Sequence, residues 1–187
     1  MELILASQSP RRRELLGLLG IPFQVQVSNA DETMEPGQDP RQQVAMVSRR
    51  KAEALPRTAD QIVLAADTIV VCDGNILGKP KDRADAIAML EQLSGRTHQV
   101  MTGMTLLHKD QVRTCTEVTQ VTFRSLSSEE IERYVDSGEP MDKAGAYGIQ
   151  GGAALFVEGI QGDYYNVVGL PVCRLTQQLQ SLMEDTQ

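Results

Sequence analysis

Residues 62–71 read Ile-Val-Leu-Ala-Ala-Asp-Thr-Ile-Val-Val, an apolar, β-branched run of the kind that forms a central strand. Only Asp67-Thr68 interrupts it. Aspartate is depleted in strands, and a buried carboxylate without a partner costs several kcal/mol. Two readings are open. Either the strand ends at Ala66 and Asp67 begins a turn, or the strand continues and carries a carboxylate at the centre of a sheet. The following Ile69-Val70-Val71 favours the second. Facing a cleft, such a carboxylate could act as general base on water or hold a divalent metal.

The start of the chain pairs with this feature. The short strand Leu3-Ile4-Leu5-Ala6 feeds Ser7-Gln8-Ser9-Pro10-Arg11-Arg12. Ser9 suits an N-cap and Pro10 the first helical position, where its missing N–H costs nothing. The spacing predicts a helix over Arg11–Leu19 that buries Leu15, Leu16, Leu18 and Leu19 and stops at Gly20. Free backbone N–H groups, the positive helix end and guanidinium forks then converge on a site for an anion, most plausibly phosphate.

Elsewhere, Phe23, Val25 and Val27 alternate as a half-buried strand, followed by a polar loop holding Asp31-Glu32-Thr33. Asp39, Pro40 and Gln42 predict a capped helix that runs to about Leu55. Asp73-Gly74-Asn75 turns a hairpin into Ile76–Gly78. A helix over Ala84–Leu93 ends at Gly95. Two long strands, His98–Leu107 and Val112–Phe123, meet around Lys109-Asp110. Ser127 and Glu130 form a capping box for a helix that ends near Ser137-Gly138. A glycine-rich segment, Ala144–Gly152, leads into a strand over Ala154–Ile160, and Pro171 begins a helix with Val172, Leu175, Leu179 and Leu182 as its stripe. Intermixed strands and helices, with both crossovers and hairpins, predict a mixed α/β sheet.

Composition narrows the partners. The 187 residues carry a net charge of −7, against a nucleic-acid polymer held on a broad basic face. With no Trp and only three Phe, stacking platforms for single strands are not expected either. Local clusters such as Arg11-Arg12-Arg13, Lys79 with Lys81, and Lys143 suit a small anion. Cys72, Cys115 and Cys173 have no zinc or disulfide spacing and read as reduced, mostly buried thiols. The four-residue apolar start is too short for a signal peptide or anchor, and no stretch reaches membrane-spanning length. A cytoplasmic protein with a single domain over 1–187 is the expectation.

Several side chains have both a plain and a functional reading. Lys51 lies four residues from Val47 and from Leu55 on the Asp39–Leu55 helix, so it either snorkels or projects a cation toward the cleft. Lys79, before Pro80, reads as surface on its own. Arg49-Arg50 reads as a solvated face, and His98 and His108 as ordinary satisfied histidines. Lys143 and Gln150, polar singles among small residues, suggest a backbone that approaches a ligand.

Taken together, Leu5-Ala6-Ser7-x-Ser9-Pro10-Arg11-Arg12-x-Glu14-Leu15-Leu16, Ala66-Asp67-Thr68-Ile69-Val70, Gly78-Lys79-Pro80, and Leu93-Ser94-Gly95-Arg96-Thr97-His98-x-Val100 resemble the Maf family of nucleotide pyrophosphatases. So do Asp142-Lys143-Ala144-Gly145-Ala146-Tyr147-Gly148-Ile149-Gln150-Gly151 and Asn166-Val167-Val168-Gly169-Leu170-Pro171. The motifs run in family order across nearly the whole chain.

The resemblance implies hydrolysis of a nucleoside triphosphate between its α and β phosphates, a divalent cation such as magnesium or manganese, and a homodimer. It implies an elongated, strongly curved mixed sheet flanked by helices, similar to the inosine triphosphate pyrophosphatases, with two lobes around a central cleft. It also implies a link to arrest of septum formation. By the same resemblance Asp67 is the proton acceptor, and Arg11, Thr68 and Gln150 bear on substrate selection. Ser7, Arg12, Glu32, Lys51 and Lys79 complete the catalytic cleft, and Lys143 joins the substrate-binding set. The Lys143-to-Gln150 form is similar to the dTTP/UTP branch. The alternatives are action on 7-methyl-GTP or another modified nucleotide, and a non-catalytic nucleotide-binding regulator of division.

Overall fold

A computed structural model describes residues 2–35 and 37–184. Seven strands form one sheet: β1 (Glu2–Leu5), β2 (Phe23–Val25), β3 (Gln61–Cys72), β4 (Asn75–Leu77), β5 (Thr97–His108), β6 (Gln111–Phe123) and β7 (Val157–Gln161). Among the described residues six α-helices accompany them: α1 (Pro10–Gly17), α2 (Pro40–Glu53), α3 (Arg83–Leu93), α4 (Ser128–Asp136), α5 (Tyr164–Val168) and α6 (Val172–Glu184). The strand order is β2-β1-β3-β5-β6-β7, with β4 pairing β3. β1 runs parallel to β2 and β3, whereas β3–β4 and β6–β7 are antiparallel. The sheet is mixed, as the alternation of strands and helices predicts.

Contacts divide the chain into two compact units. The first comprises residues 1–67, 102–117 and 169–187, the second residues 68–101 and 118–168. In the first unit, α2 lies on the sheet face formed by Ile4, Ala6, Val63, Ala65 and Leu107 and buries Ala52 against it, and Leu55, just past the end of α2, joins the same cluster. Its approach is close because β5 offers Gly103. A Cβ there would stand 2.3 Å from the Val44 carbonyl oxygen. A short polar chain locks the same interface, with the Ser48 hydroxyl 2.8 Å from that of Thr105, which lies 2.9 Å from that of Thr114.

In the second unit, two of the three Phe and two of the four Tyr gather with His98. Phe123 and Tyr147 meet edge to face at 4.8 Å, and Tyr134 and Phe156 at 5.1 Å. His98 Nε2 pairs with the Tyr147 hydroxyl at 2.7 Å. Burial pushes the His98 pKa down to about 4, because the imidazolium would be stranded in an apolar setting.

Local departures from the sequence reading have local causes. Helix α1 ends at Gly17, after which Leu18, Leu19 and Gly20 each bond three residues back rather than four. Leu18 is therefore 65% exposed, and the buried side is Leu15 and Leu16. Asp39 caps α2 through the Arg41 N–H. Gln42 closes no box; the buried neighbour Gln43 instead binds the backbone of Glu35. Strand β2 stops before Val27. Strand β7 begins at Val157 because residues 152–155 wind into a 3-10 turn, and α5 was not foreseen. The capping box of Ser127 and Glu130 is present. Of the cysteines only Cys72 is buried; all three are free.

Candidate active site

Strand β3 is buried from Ile62 to Ala66 and again from Ile69 to Cys72. Its half-open residues in between are Asp67 and Thr68. The strand does not end at Ala66. Side chains alternate across a strand, so Val63, Ala65 and Asp67 share the face that α2 covers. The buried stripe of α2 is Val44, Val47, Ser48, Lys51 and Ala52, spaced three and four residues apart as a 3.6-residue period requires. Asp67 and Lys51 thus meet because a strand face and a helix stripe are pressed together. The Lys51 ammonium donates to Asp67 Oδ1 at 2.6 Å and lies 3.0 Å from Glu32 Oε2. The Lys51 side chain is only 9% exposed and that of Asp67 13%, whereas Glu32 is 59% exposed. This is a desolvated cation shared by one inner and one outer carboxylate.

The start of the chain adds another cation in the first unit. Ser7 Oγ accepts from the Ser9 N–H and from Arg12 Nη1, and Arg12 Nε donates to the Gly169 carbonyl at 2.8 Å. Ser9 caps α1 through the Arg12 N–H. Burial lowers the Arg12 pKa below the ordinary arginine value. Asp67 opposes that shift, Arg11 adds to it and Glu32 opposes it. The two carboxylates thus offset part of the effect of burial. Arg11 is half-buried beside it.

Glu32 owes its place to a residue that side-chain patterning reads as solvated surface. Arg50, next to Lys51 on α2, donates from Nη1 to the Asp31 carbonyl and from Nη2 to the Thr33 carbonyl, both at 3.0 Å. It pins the main chain on both sides of Glu32. Asp31 strengthens the loop by accepting from the Thr33 N–H and hydroxyl. A bond from a side chain to distant carbonyls leaves no trace in side-chain patterning, so Arg50 read as solvated surface.

In the second unit, Thr68 follows Asp67 on β3. Lys79 is exposed just beyond β4, and its neighbour Gly78 accepts through its carbonyl from the Gly145 N–H at 3.0 Å. Gly145 has φ +68, and a Cβ there would meet the Val70 side chain at 2.8 Å; glycine is required on both counts. Gln150 is exposed, while its neighbour Ile149 is buried. Lys143 is half-buried in the same segment. Its ammonium turns back to the Glu139 carbonyl and the Asp142 carboxylate, both at 2.7 Å. His98 and His108 take ordinary structural bonds, the latter 3.1 Å from the Gln61 carbonyl. Each keeps one buried ring nitrogen without a partner among the described residues. Among the described residues no three His, Cys, Asp or Glu gather in a metal-binding cluster, and no helix is long and apolar enough to cross a membrane.

Comparison with known proteins gives a consistent picture. The family profile described as Maf-like protein matches residues 2–182. A dTTP/UTP pyrophosphatase of Symbiobacterium thermophilum is 55% identical over 179 residues, which is 95% of this chain and 92% of that one. One of Bacillus cytotoxicus is 53% identical over 94% of this chain and 93% of its own. One of Bacillus anthracis is 50% identical over 98% and 97%. Among solved structures, a HAM1 protein from Coxiella burnetii aligns over 99% of both chains at 15% identity, with a TM-score of 0.48.

Proposed function

The chain belongs to the Maf-like protein family, and on that premise we propose that it is a nucleoside triphosphate pyrophosphatase acting on dTTP and UTP. The relatives that carry that name match it at 50–55% identity over nearly full length, and its site has the parts that the chemistry needs. Water attacks the α-phosphorus, the bond between the α-phosphorus and the oxygen bridging it to the β-phosphorus breaks, and pyrophosphate leaves with that oxygen. Asp67 accepts the proton of the attacking water. Lys51 orients that carboxylate. In the first unit Arg12, Arg11 and the capped start of α1 with Ser7 bind polyphosphate oxygens. In the second unit Lys79 is a further cation for the polyphosphate, and Thr68 and Gln150 bear on selection of the base. The Gln150 carboxamide can both accept from the N–H of uracil or thymine and donate to a ring carbonyl.

Asp67 and Glu32 form an oxygen donor pair that already shares a cation, which suits magnesium or manganese. Such ions take one or two carboxylates and complete their shell with phosphate oxygens and water. Bound there, the ion would neutralise charge on the polyphosphate. We further propose a cytoplasmic homodimer. Strands β3, β5 and β6 each contribute to both units, which supports one catalytic domain over 1–187.

The observation that carries the reading is the Lys51 ammonium 2.6 Å from Asp67 inside a buried strand. A nucleotide panel with pyrophosphate detection, with and without magnesium or manganese, tests it. dTTP and UTP should release pyrophosphate in preference to CTP and 7-methyl-GTP. Asp67→Asn should abolish turnover and retain nucleotide binding. Wild-type turnover in that variant would falsify the assignment.

A further inference from the structure

Gln150 stands at the tip of a four-residue turn, Gly148-Ile149-Gln150-Gly151, closed by the Gly151 N–H on the Gly148 carbonyl at 3.1 Å. Behind it lies a clamp to which no role has been assigned. The Tyr134 hydroxyl accepts from the Gly148 N–H at 3.1 Å and donates to Glu139 Oε1 at 2.9 Å. Glu139 Oε2 accepts from the Gly152 N–H at 3.0 Å. The two residues therefore grip the main chain at the first residue of the turn and immediately after its last.

The turn is shaped to let them in. A Cβ on Gly151 would stand 2.0 Å from Glu139 Oε1, and one on Gly148 would stand 2.6 Å from Lys143 Cε. Lys143 spends its ammonium on the Glu139 carbonyl, so it braces the clamp. Tyr134 is itself fixed, buried on α4 and packed edge to face on Phe156. Burial raises its pKa, so the hydroxyl keeps the proton that it gives to Glu139.

We infer that Tyr134 and Glu139 are positioning residues for base selection, holding the Gln150 turn in one conformation. The inference rests on the reading of Gln150 as the base-selecting residue. A carboxamide discriminates uracil from cytosine only if its donor and acceptor are held in a fixed orientation. Cytosine presents an amino donor where uracil presents a carbonyl, and a loose carboxamide can rotate to satisfy either. Holding such a group within a fraction of an ångström requires a supporting shell.

The test compares kcat/KM for UTP and CTP in the full-length enzyme, with the thermal midpoint measured alongside. Gln150→Ala should bring the UTP-over-CTP ratio close to one. Tyr134→Phe removes the hydroxyl that bridges Gly148 and Glu139. Glu139→Gln places a donor against the Tyr134 hydroxyl or the Gly152 N–H. Each should lower the ratio by about fivefold, the net worth of one hydrogen bond, and neither should lower it further when combined with Gln150→Ala. If both variants slow UTP and CTP by the same factor while Gln150→Ala collapses the ratio, the clamp is merely structural and the inference is overturned. If Gln150→Ala leaves the ratio intact, the reading of Gln150 fails and the inference goes with it. Tyr134→Phe decides the matter should Glu139→Gln fail to fold.

Discussion

Replacing Lys51 by Met tests whether the buried cation is present for Asp67. At an effective dielectric of about 20, unit charges 2.6 Å apart attract by about 6 kcal/mol, most of which is offset by stripping both groups of water. The outer arm to Glu32 is largely solvent-screened and adds about 0–1 kcal/mol. Met fills the volume of the lysine stem, so the loss is electrostatic. Lys51→Met strands the Asp67 carboxylate and should cost about 3 kcal/mol, the low end for a broken buried pair because Asp67 keeps some contact with water. Asp67→Asn leaves an oxygen for the ammonium and should cost about 1 kcal/mol. The double variant should cost about 2 kcal/mol, since no stranded charge remains, so the pair is coupled by about 2 kcal/mol. Equilibrium urea unfolding of the four proteins at pH 7 measures this, and it does so apart from catalysis. Costs that add to within about 0.5 kcal/mol would refute the reasoning, and the contact would then be a coincidence of packing.

Three further outcomes follow from the same geometry. Arg50→Ala should free the Glu32 loop and lower kcat/KM for UTP by about tenfold or more, with stability changed by less than about 1 kcal/mol; unchanged kcat/KM would remove Arg50 from the site. Gly103→Ala should cost about 3 kcal/mol and lower the melting point by about 6–12 °C, because its Cβ would meet the Val44 carbonyl of α2 at 2.3 Å; a midpoint within 2 °C, an interval of about 1 kcal/mol at most, would show that α2 can lift without strain.

His98 gives the third, a pH dependence. Its pKa falls from 6.5 to about 4 on folding, so between those values the unfolded chain binds the extra proton. Its contribution is present above about pH 6.5 and is lost as pH falls toward 4, up to about 3 kcal/mol in all. In His98→Gln the urea-derived stability should fall less steeply from pH 6.5 to 4.5; identical slopes would contradict the assignment.

Whatever depends on period and on local chemistry was legible in the order of residues alone. Asp67 stood out because a carboxylate interrupts a β-branched run, Lys51 because it shares a stripe with Val47 and Leu55, and the start of α1 because Ser9 and Pro10 form a cap. Those signals are one-dimensional: alternation by two, recurrence at three and four, a hydroxyl before a proline. The tertiary structure alone decided which groups meet. It brought Lys51 to Asp67 by laying α2 over the odd-numbered face of β3, at a distance that Gly103 permits. It turned Arg50 onto the carbonyls beside Glu32, and aimed the Lys143 ammonium at Glu139 instead of outward. It also set Tyr134 and Glu139 behind the Gln150 turn. Main-chain carbonyls and N–H groups are the same at every residue, so bonds made to them carry no side-chain pattern. They appear only once the chain has folded back on itself.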